Sequence, residues 1–273
     1  MPPAFWKEPF LDMASLVWAM PEEHWIDDSP TLADIKIIKA QAASGSAIDE
    51  INFRADMVAK WHRKEVELKV RELPGRTRVV FLGTDEQWSQ IPWVFWARIF
   101  QMIEHPIGFT LLYADPRPRV DPDSPELKAK DINGGYSYIC QQELVVIYRF
   151  EETTRVLLHE LLHTACFDKE KGVEDLEVRT EAWTELYLCA LLSRGSSSKF
   201  NKLWTQQVNW MVEQADSLKV DHNVATAADY AWRYMLGKKE YLEKHGFLRG
   251  FIHKDQLVTT SLRFTTPEWD SEM

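Results

Sequence analysis

Cysteine pairs, clustered basic residues and long apolar runs are scarce or missing in this chain of 273 residues. The three cysteines, Cys140, Cys166 and Cys189, form no CxxC pair and are odd in number, so we expect no disulfide framework and a reducing compartment. No basic tract stands out and the formal net charge is -10, which argues against general binding to nucleic acid or to anionic membranes. The longest apolar runs fall short of the roughly 18 residues that a membrane-spanning helix needs.

The first residues also differ from a secretory signal. Glu8 and Asp12 interrupt short apolar pieces, whereas a signal has a basic start and an unbroken apolar stretch. We therefore expect an intracellular, cytoplasmic protein without a signal peptide. A hydrophobic content of 45% allows a substantial core, in one large domain or in two packed lobes.

The most informative segment is residues 156–165, where the motif HELLH matches the pattern HExxH inside an apolar run that predicts a helix. Residues four apart lie on one helix face, so His159 and His163 can present two imidazoles to one zinc ion. Glu160 lies one step round the helix and would face a water on the metal. The alternative is a pair of core histidines beside a surface acid. It is disfavoured because three polar groups in an apolar helix are costly to bury without a shared partner.

Catalytic zinc usually has three protein ligands, so a third must lie elsewhere in the chain. The pattern HExxHxxGxxH does not continue here, because Cys166 occupies the glycine position and Lys169 the third histidine position. Helical spacing predicts a second helix over residues 175–190. Its acids share one stripe: Glu177, Glu181 and Glu185. We choose Glu181 as the third zinc ligand and Glu185 as the acceptor of a ring N–H from a zinc-bound histidine. A solvated acidic face is the alternative for each acid, and Cys166 is either near the metal or a small core residue.

The HELLH helix followed by a helix with Glu181 resembles the gluzincin branch of the zincin metallopeptidases, in which HExxH and a later helical glutamate hold zinc. A wider stretch, residues 79–237, is similar to uncharacterised predicted metallopeptidases encoded by large double-stranded DNA viruses. The similarity includes segments 132–138 and 145–149. This resemblance adds a virion-associated location as the alternative to the cytoplasm.

The resemblance implies a zincin-like α+β fold, with a small mixed sheet packed on the HExxH helix and a mainly helical C-terminal part. It also implies that segment 134–138 is an edge strand that pairs with an extended peptide substrate. An ordinary hairpin strand is the alternative for that segment.

Periodicity and turn residues predict the domains, helices and strands in the rest of the chain. We predict an N-terminal mainly helical extension over residues 1–75, a zincin-like catalytic core over 76–193 and a C-terminal helical subdomain over 194–273. The further predicted helices are 31–45, 47–64, 91–104, 199–218 and 224–236, the last ending at Gly237. The predicted strands are 66–70, 78–83, 109–113, 134–139 and 143–149. Residues 1–30 show no periodicity and are predicted to form an arm or a surface-wrapping segment, and residues 115–131 are predicted to form a long loop. A helix that continues to residue 72 is the alternative to the first strand.

These features predict a zinc metallopeptidase whose peptide or protein substrate is cleaved by a metal-activated water. Glu160 would take the proton of that water and pass it to the leaving amine. Related enzymes stabilise the oxyanion with a Tyr or His from a downstream helix. The candidates here are Tyr230, Tyr234 and His222.

Two other functions stay open at this stage. One is a zincin-fold structural or binding module, for example a virion component, with a retained metal site. The other is a metal-dependent hydrolase of a non-peptide amide. We expect neither nucleic acid nor membrane as a partner, and the sequence does not specify an oligomeric state.

Overall fold

The computed structural model describes residues 4–45, 49–122, 124, 126–167, 173–250 and 261–273, with only the backbone for residues 4, 5 and 173–175. The chain divides into two compact units that we call the sheet unit and the helical unit. The sheet unit comprises Pro21–Pro118 and Asn133–Phe167. The helical unit comprises Met1–Met20, Arg119–Ile132 and Asp168–Met273. The domain boundaries predicted near residues 75 and 193 stay a prediction.

The sheet unit contains a six-stranded mixed sheet, which confirms the α+β class. Its strands are β1 (Ile26–Asp28), β2 (Glu67–Leu73), β3 (Thr77–Gly83), β4 (Phe109–Tyr113), β5 (Gly135–Ser137) and β6 (Leu144–Ile147). Their order in the sheet is β1-β2-β3-β4-β6-β5. The β3/β4 and β4/β6 pairs are parallel, while β1/β2, β2/β3 and β5/β6 are antiparallel. The strand at 66–70 is therefore confirmed, and the alternative helix to residue 72 is wrong.

The middle of the sheet is apolar on both faces. Val79, Val80, Phe81 and Leu82 are consecutive residues of β3 and all are buried. Strands covered on both faces read as continuous apolar runs, which is typical of the parallel part of a sheet. Segment 134–138 contributes β5, which lies at one end of the strand order and has β6 as its partner among the described strands.

The described helices of the sheet unit are α2 (Leu32–Ala43), α3 (Phe53–His62), α4 (Asp85–Gln90), α5 (Trp93–Ile103) and α7 (Thr153–Thr164). Helices α2, α3, α5 and α7 overlap predicted helices, whereas α4 was not predicted. The start of the helix predicted over 47–64 lies partly outside the described residues. Helix α2 begins with a capping box, in which the Thr31 hydroxyl accepts from the backbone N–H of Asp34 and the Asp34 carboxylate accepts from that of Thr31.

The helical unit differs more from the sequence-based expectations. Its helices are α1 (Glu8–Ala19), α6 (Ala129–Ile132), α8 (Val173–Ser193), α9 (Ser197–Asp221) and α10 (Leu236–Lys244), with 3₁₀ turns at Ala4–Lys7, Tyr230–Tyr234 and Pro267–Glu272. Residues 1–30 are therefore not an arm without periodicity, since α1 buries Phe10, Leu11, Ala14 and Val17. Helix α6 occupies the end of the predicted loop 115–131, of which residues 123 and 125 lie outside the described part.

The helix predicted over 224–236 is also wrong, because this segment contains the 3₁₀ turn Tyr230–Tyr234 and α10 begins only at Leu236. Gly237 lies inside α10 and does not end a helix. A Cβ at this position would lie 2.5 Å from Cζ3 of Trp232, so the glycine allows the indole ring to approach the helix closely. Packing against Trp232 therefore outweighs the usual preference of glycine for helix ends. Within the described ranges, no helix combines the length and apolar character needed to cross a bilayer.

Candidate metal centre

Helix α7 carries the HELLH motif through the interior of the sheet unit. All 12 of its residues are buried, and the helix packs against β5, β6 and α5. Trp96 of α5 donates from Nε1 to Oγ1 of Thr154 at 2.9 Å, which fixes the first turn of α7. The apolar run around the motif is thus explained by burial on several sides.

The two motif histidines meet on one face of α7, as their spacing predicts. Nε2 of His159 lies 3.0 Å from Nε2 of His163, and their ring planes are 84° apart. Zinc–imidazole bonds are about 2.0–2.1 Å long, so two nitrogens separated by less than about 4 Å can reach the same ion. The pair therefore fits a metal ion, and imidazole is a ligand that zinc commonly takes.

Glu160, the predicted general base, is buried and has a hydroxyl partner on the edge strand. Ser137 of β5 lies with its Oγ 2.8 Å from Oε2 of Glu160 and 3.0 Å from the backbone oxygen of Glu160. Ser137 is not among the site residues predicted from the sequence. Its 23-residue separation from Glu160 carries no periodic signal, and only the pairing of β5 with the sheet brings the two residues together.

The acidic stripe lies on α8, which packs against α1, α9, α10 and the 3₁₀ turn Tyr230–Tyr234. Glu181 is buried and Glu177 is half-buried. The carboxylate of Glu185 accepts a hydrogen bond from Nζ of Lys238 on α10, and both side chains are fully buried. The predicted role of Glu185 toward a histidine ring stays a prediction, and the partner that the structure shows for it is a lysine.

A group of described residues that could hold a metal ion consists of His159, His163 and Glu177. This group contains both predicted histidines and the acid one turn before Glu181. The choice of Glu181 as third ligand therefore stays a prediction, with Glu177 as its competitor on the same stripe.

Two of the three candidates for oxyanion stabilisation lie close together in the helical unit. The hydroxyls of Tyr230 and Tyr234 are 3.4 Å apart. Burial raises the pKa of Tyr234 well above its usual value, and the nearby negative charge of Glu177 raises it further. A tyrosine that keeps its proton at neutral pH is a hydrogen-bond donor, which is the property an oxyanion partner needs.

The third candidate, His222, follows α9 and contacts a carboxylate. Its Nε2 lies 2.5 Å from Oδ1 of Asp121, and the histidine side chain is buried. The contact is a histidine–carboxylate pair within the helical unit. The structure thus gives His222 a structural partner, while its predicted catalytic role stays a prediction.

The expectation that the cysteines stay unpaired is wrong for two of them. Cys140 and Cys166 form a disulfide with their Cα atoms 4.6 Å apart, whereas Cys189 is a buried free thiol. Burial raises the pKa of the Cys189 thiol. The backbone N–H of Cys140, in the turn between β5 and β6, donates to the carbonyl of His163 at 3.0 Å. Tertiary packing therefore brings together two cysteines whose spacing gave no sign of a pair.

Comparison of the chain with protein-family models, with curated proteins and with solved structures gives no match. The resemblance to the gluzincins accordingly stays a prediction that rests on the motif residues.

Proposed function

We propose that this protein is a zinc-dependent hydrolase of peptide bonds. The observation that carries the proposal is the convergence of His159 and His163, whose Nε2 atoms lie 3.0 Å apart, directly beside the buried Glu160. A shared hydrogen bond between two imidazoles would explain the histidine pair alone. It would not explain why an acid is buried at the neighbouring position, between the buried apolar side chains of Leu158 and Leu161.

Each side chain has a defined role in this proposal. His159 and His163 hold the ion, and an acid of α8 completes the ligand set, with Glu181 as the first choice and Glu177 as the second. Zinc, when bound, supplies a Lewis acid that polarises the scissile carbonyl and lowers the pKa of a water. Glu160 accepts the proton of that water and delivers it to the leaving amine. Tyr230 or Tyr234 donates a hydrogen bond to the oxyanion.

The edge strand supports a peptide as the substrate class. Strand β5 pairs with β6 on one side, lies at the end of the strand order and packs directly on α7. An extended peptide that adds to such an edge gains backbone hydrogen bonds with little dependence on its sequence. A strand next to the HELLH helix is therefore suited to hold a peptide bond near Glu160.

Cleavage of unfolded casein by the zinc-loaded protein tests the proposal. We expect cleavage by the wild type and a loss of at least about 100-fold in Glu160→Gln, because this variant keeps the side-chain shape and removes the base. Glu143→Gln, which removes an exposed acid of the same unit, is the matched control and should cleave normally. Zinc binding without cleavage by any variant would contradict peptidase activity and favour a binding module. Release of amine from small acyl amides by a protein that leaves casein intact would favour a non-peptide substrate.

Metal content identifies the third ligand. We expect His163→Ala to retain little zinc after gel filtration, because one of two imidazole ligands is lost. Of Glu181→Ala and Glu177→Ala, the variant of the true ligand should lose zinc while the other keeps it. Full zinc retention in Glu181→Ala together with loss in Glu177→Ala would show that the choice of Glu181 is wrong.

A further inference from the structure

We propose that Ser137 is a positioning residue that holds the carboxylate of Glu160 in the orientation needed for proton transfer. This inference rests on the proposed function. Its basis is the contact between Oγ of Ser137 and Oε2 of Glu160 at 2.8 Å, which joins the edge strand β5 to the HELLH helix.

The position of Ser137 is itself fixed by close packing. Gly135, two residues earlier on β5, lies so near α7 that a Cβ there would be 2.6 Å from Cγ1 of Val156. The backbone of Ser137 is paired in register with Val145 of β6. Beyond the strand, the N–H of Cys140 binds the carbonyl of His163. The serine hydroxyl is thus carried by a strand that is attached to α7 before and after it.

A fixed hydroxyl has a specific effect on a neighbouring carboxylate. The single hydroxyl proton of Ser137 has two acceptors within reach, Oε2 of Glu160 at 2.8 Å and the backbone oxygen of Glu160 at 3.0 Å. Donated to Oε2, at the shorter distance, it restricts rotation about the last side-chain bond of Glu160, so that the carboxylate keeps one orientation. General bases lose efficiency quickly when their geometry is loosened, because proton transfer requires hydrogen-bond distance and alignment. Residues that orient such groups typically change activity by about 10- to 100-fold when removed.

The first test compares Ser137→Ala with Ser137→Thr in casein cleavage by the zinc-loaded protein. We expect Ser137→Ala to lower kcat by about 10- to 100-fold with KM within about twofold of the wild type, since the serine acts on the base and not on the substrate. Ser137→Thr keeps the hydroxyl and should restore kcat to within about threefold. In a Glu160→Gln background, Ser137→Ala should have no further effect, because the residue acts through Glu160. Equal kcat in Ser137→Ala and the wild type, or an equal further loss in the Glu160→Gln background, would overturn the inference.

The second test does not depend on activity. The visible absorption of Co²⁺ in place of zinc reports how the groups around the ion are arranged. Ser137→Ala and Glu160→Gln should shift the Co²⁺ bands in the same direction, while Ser137→Thr keeps the wild-type spectrum and all variants bind one equivalent of Co²⁺. If the wild type binds Co²⁺ but does not cleave casein, the proposed function is contradicted. The comparison of the spectra then still tests whether Ser137 positions Glu160. Unchanged spectra in Ser137→Ala, or a wild type that binds no Co²⁺, would overturn the positioning role.

Discussion

At the scale of single residues, Gly135 is a position near the candidate site where the structure leaves no room for a side chain. A Cβ at this position would meet Cγ1 of Val156 at 2.6 Å and the backbone oxygen of Val146 at 2.7 Å. Both contacts are shorter than van der Waals distance, and the backbone oxygen belongs to the neighbouring strand β6. The absence of a side chain therefore allows β5 to pair closely with β6 while it packs against α7.

We predict that Gly135→Ala lowers the free energy of unfolding by about 1–3 kcal/mol, because the added methyl group forces the strand or the helix to shift. Urea denaturation followed by tryptophan fluorescence measures this change. Gly45→Ala is the matched control, since a Cβ there meets no atom within 4 Å, and it should be neutral or slightly stabilising. Equal stability of the two variants would show that β5 does not lie this close to α7.

Some residues of the candidate site could be predicted from the sequence and others could not. His159, Glu160 and His163 follow from a local motif, since four-residue spacing on a helix is sufficient to place two side chains on one face. Ser137 does not, because its contact with Glu160 exists only after β5 has paired with β6. The disulfide between Cys140 and Cys166 depends on the same packing. Local chemistry was therefore predictable, and contacts that need the assembled sheet were not.

At the scale of secondary structure, the carboxylate of Asp34 stabilises the start of α2, and its charge depends on pH. Burial pushes the pKa of Asp34 upward, but hydrogen bonds from Arg78 of β3 and from Thr31 outweigh it, so the pKa lies below its usual value. Nε and Nη2 of Arg78 donate to the carboxylate at 2.9 and 2.8 Å. The ionised form of Asp34 thus joins α2 to the sheet.

We predict that Asp34→Asn costs about 1–3 kcal/mol of unfolding free energy at pH 7. A carboxyl whose pKa is lower in the folded state stabilises the protein above its unfolded pKa of about 3.9, and this contribution disappears as the pH falls through the folded value. The difference between wild type and variant should therefore shrink below about pH 4. Chemical denaturation across pH 3–7 measures it, with Glu50→Gln as a control for the loss of one exposed negative charge. A difference that stays constant over this range would contradict the assigned role of the ionised carboxylate.

The disulfide between Cys140 and Cys166 is a second link between elements, because it joins the β5–β6 turn to the end of α7. A covalent link across a separation of 26 residues restricts the unfolded chain and should stabilise the fold by about 3–4 kcal/mol. We predict that a thiol reductant lowers the urea midpoint of the wild type and has no effect on the double variant Cys140→Ser, Cys166→Ser. Thiol titration of the denatured, unreduced protein should find one reactive thiol, that of Cys189. Three reactive thiols would show that the pair is not bonded.

Whole elements were predicted best where periodicity and turn residues agree. Helices α2, α5 and α7 and strands β2, β3 and β4 lie close to their predicted ranges. Helix α1 was missed although its buried residues Phe10, Leu11, Ala14 and Val17 follow helical spacing, because prolines and tryptophans around them obscured the pattern. The segment before α10 was misassigned because the position of Gly237 is decided by its contact with Trp232, which local sequence rules do not include.

At the scale of the whole molecule, the chain passes repeatedly between its two units. The helical unit consists of three separate segments of the chain, and the sheet unit consists of the two segments that lie between them in the sequence. The predicted domains are contiguous segments of the chain, and their boundaries stay a prediction.

Metal binding should be visible as a change in the stability of the protein, because the proposed ligands come together only in the folded chain. A ligand that binds only the folded state stabilises it by about 2.7 kcal/mol when its free concentration is 100 times Kd. For a chain of this size, that free energy corresponds to a rise in melting temperature of about 5–10 °C. We predict such a rise when zinc is added to chelator-treated wild type, measured by differential scanning calorimetry. His163→Ala should melt at the same temperature with and without zinc. Mg²⁺ should not replace zinc, because it prefers oxygen ligands to imidazole. An equal rise with Mg²⁺, or an undiminished rise in His163→Ala, would place the stabilising ion away from the HELLH helix and remove the basis for a catalytic metal there.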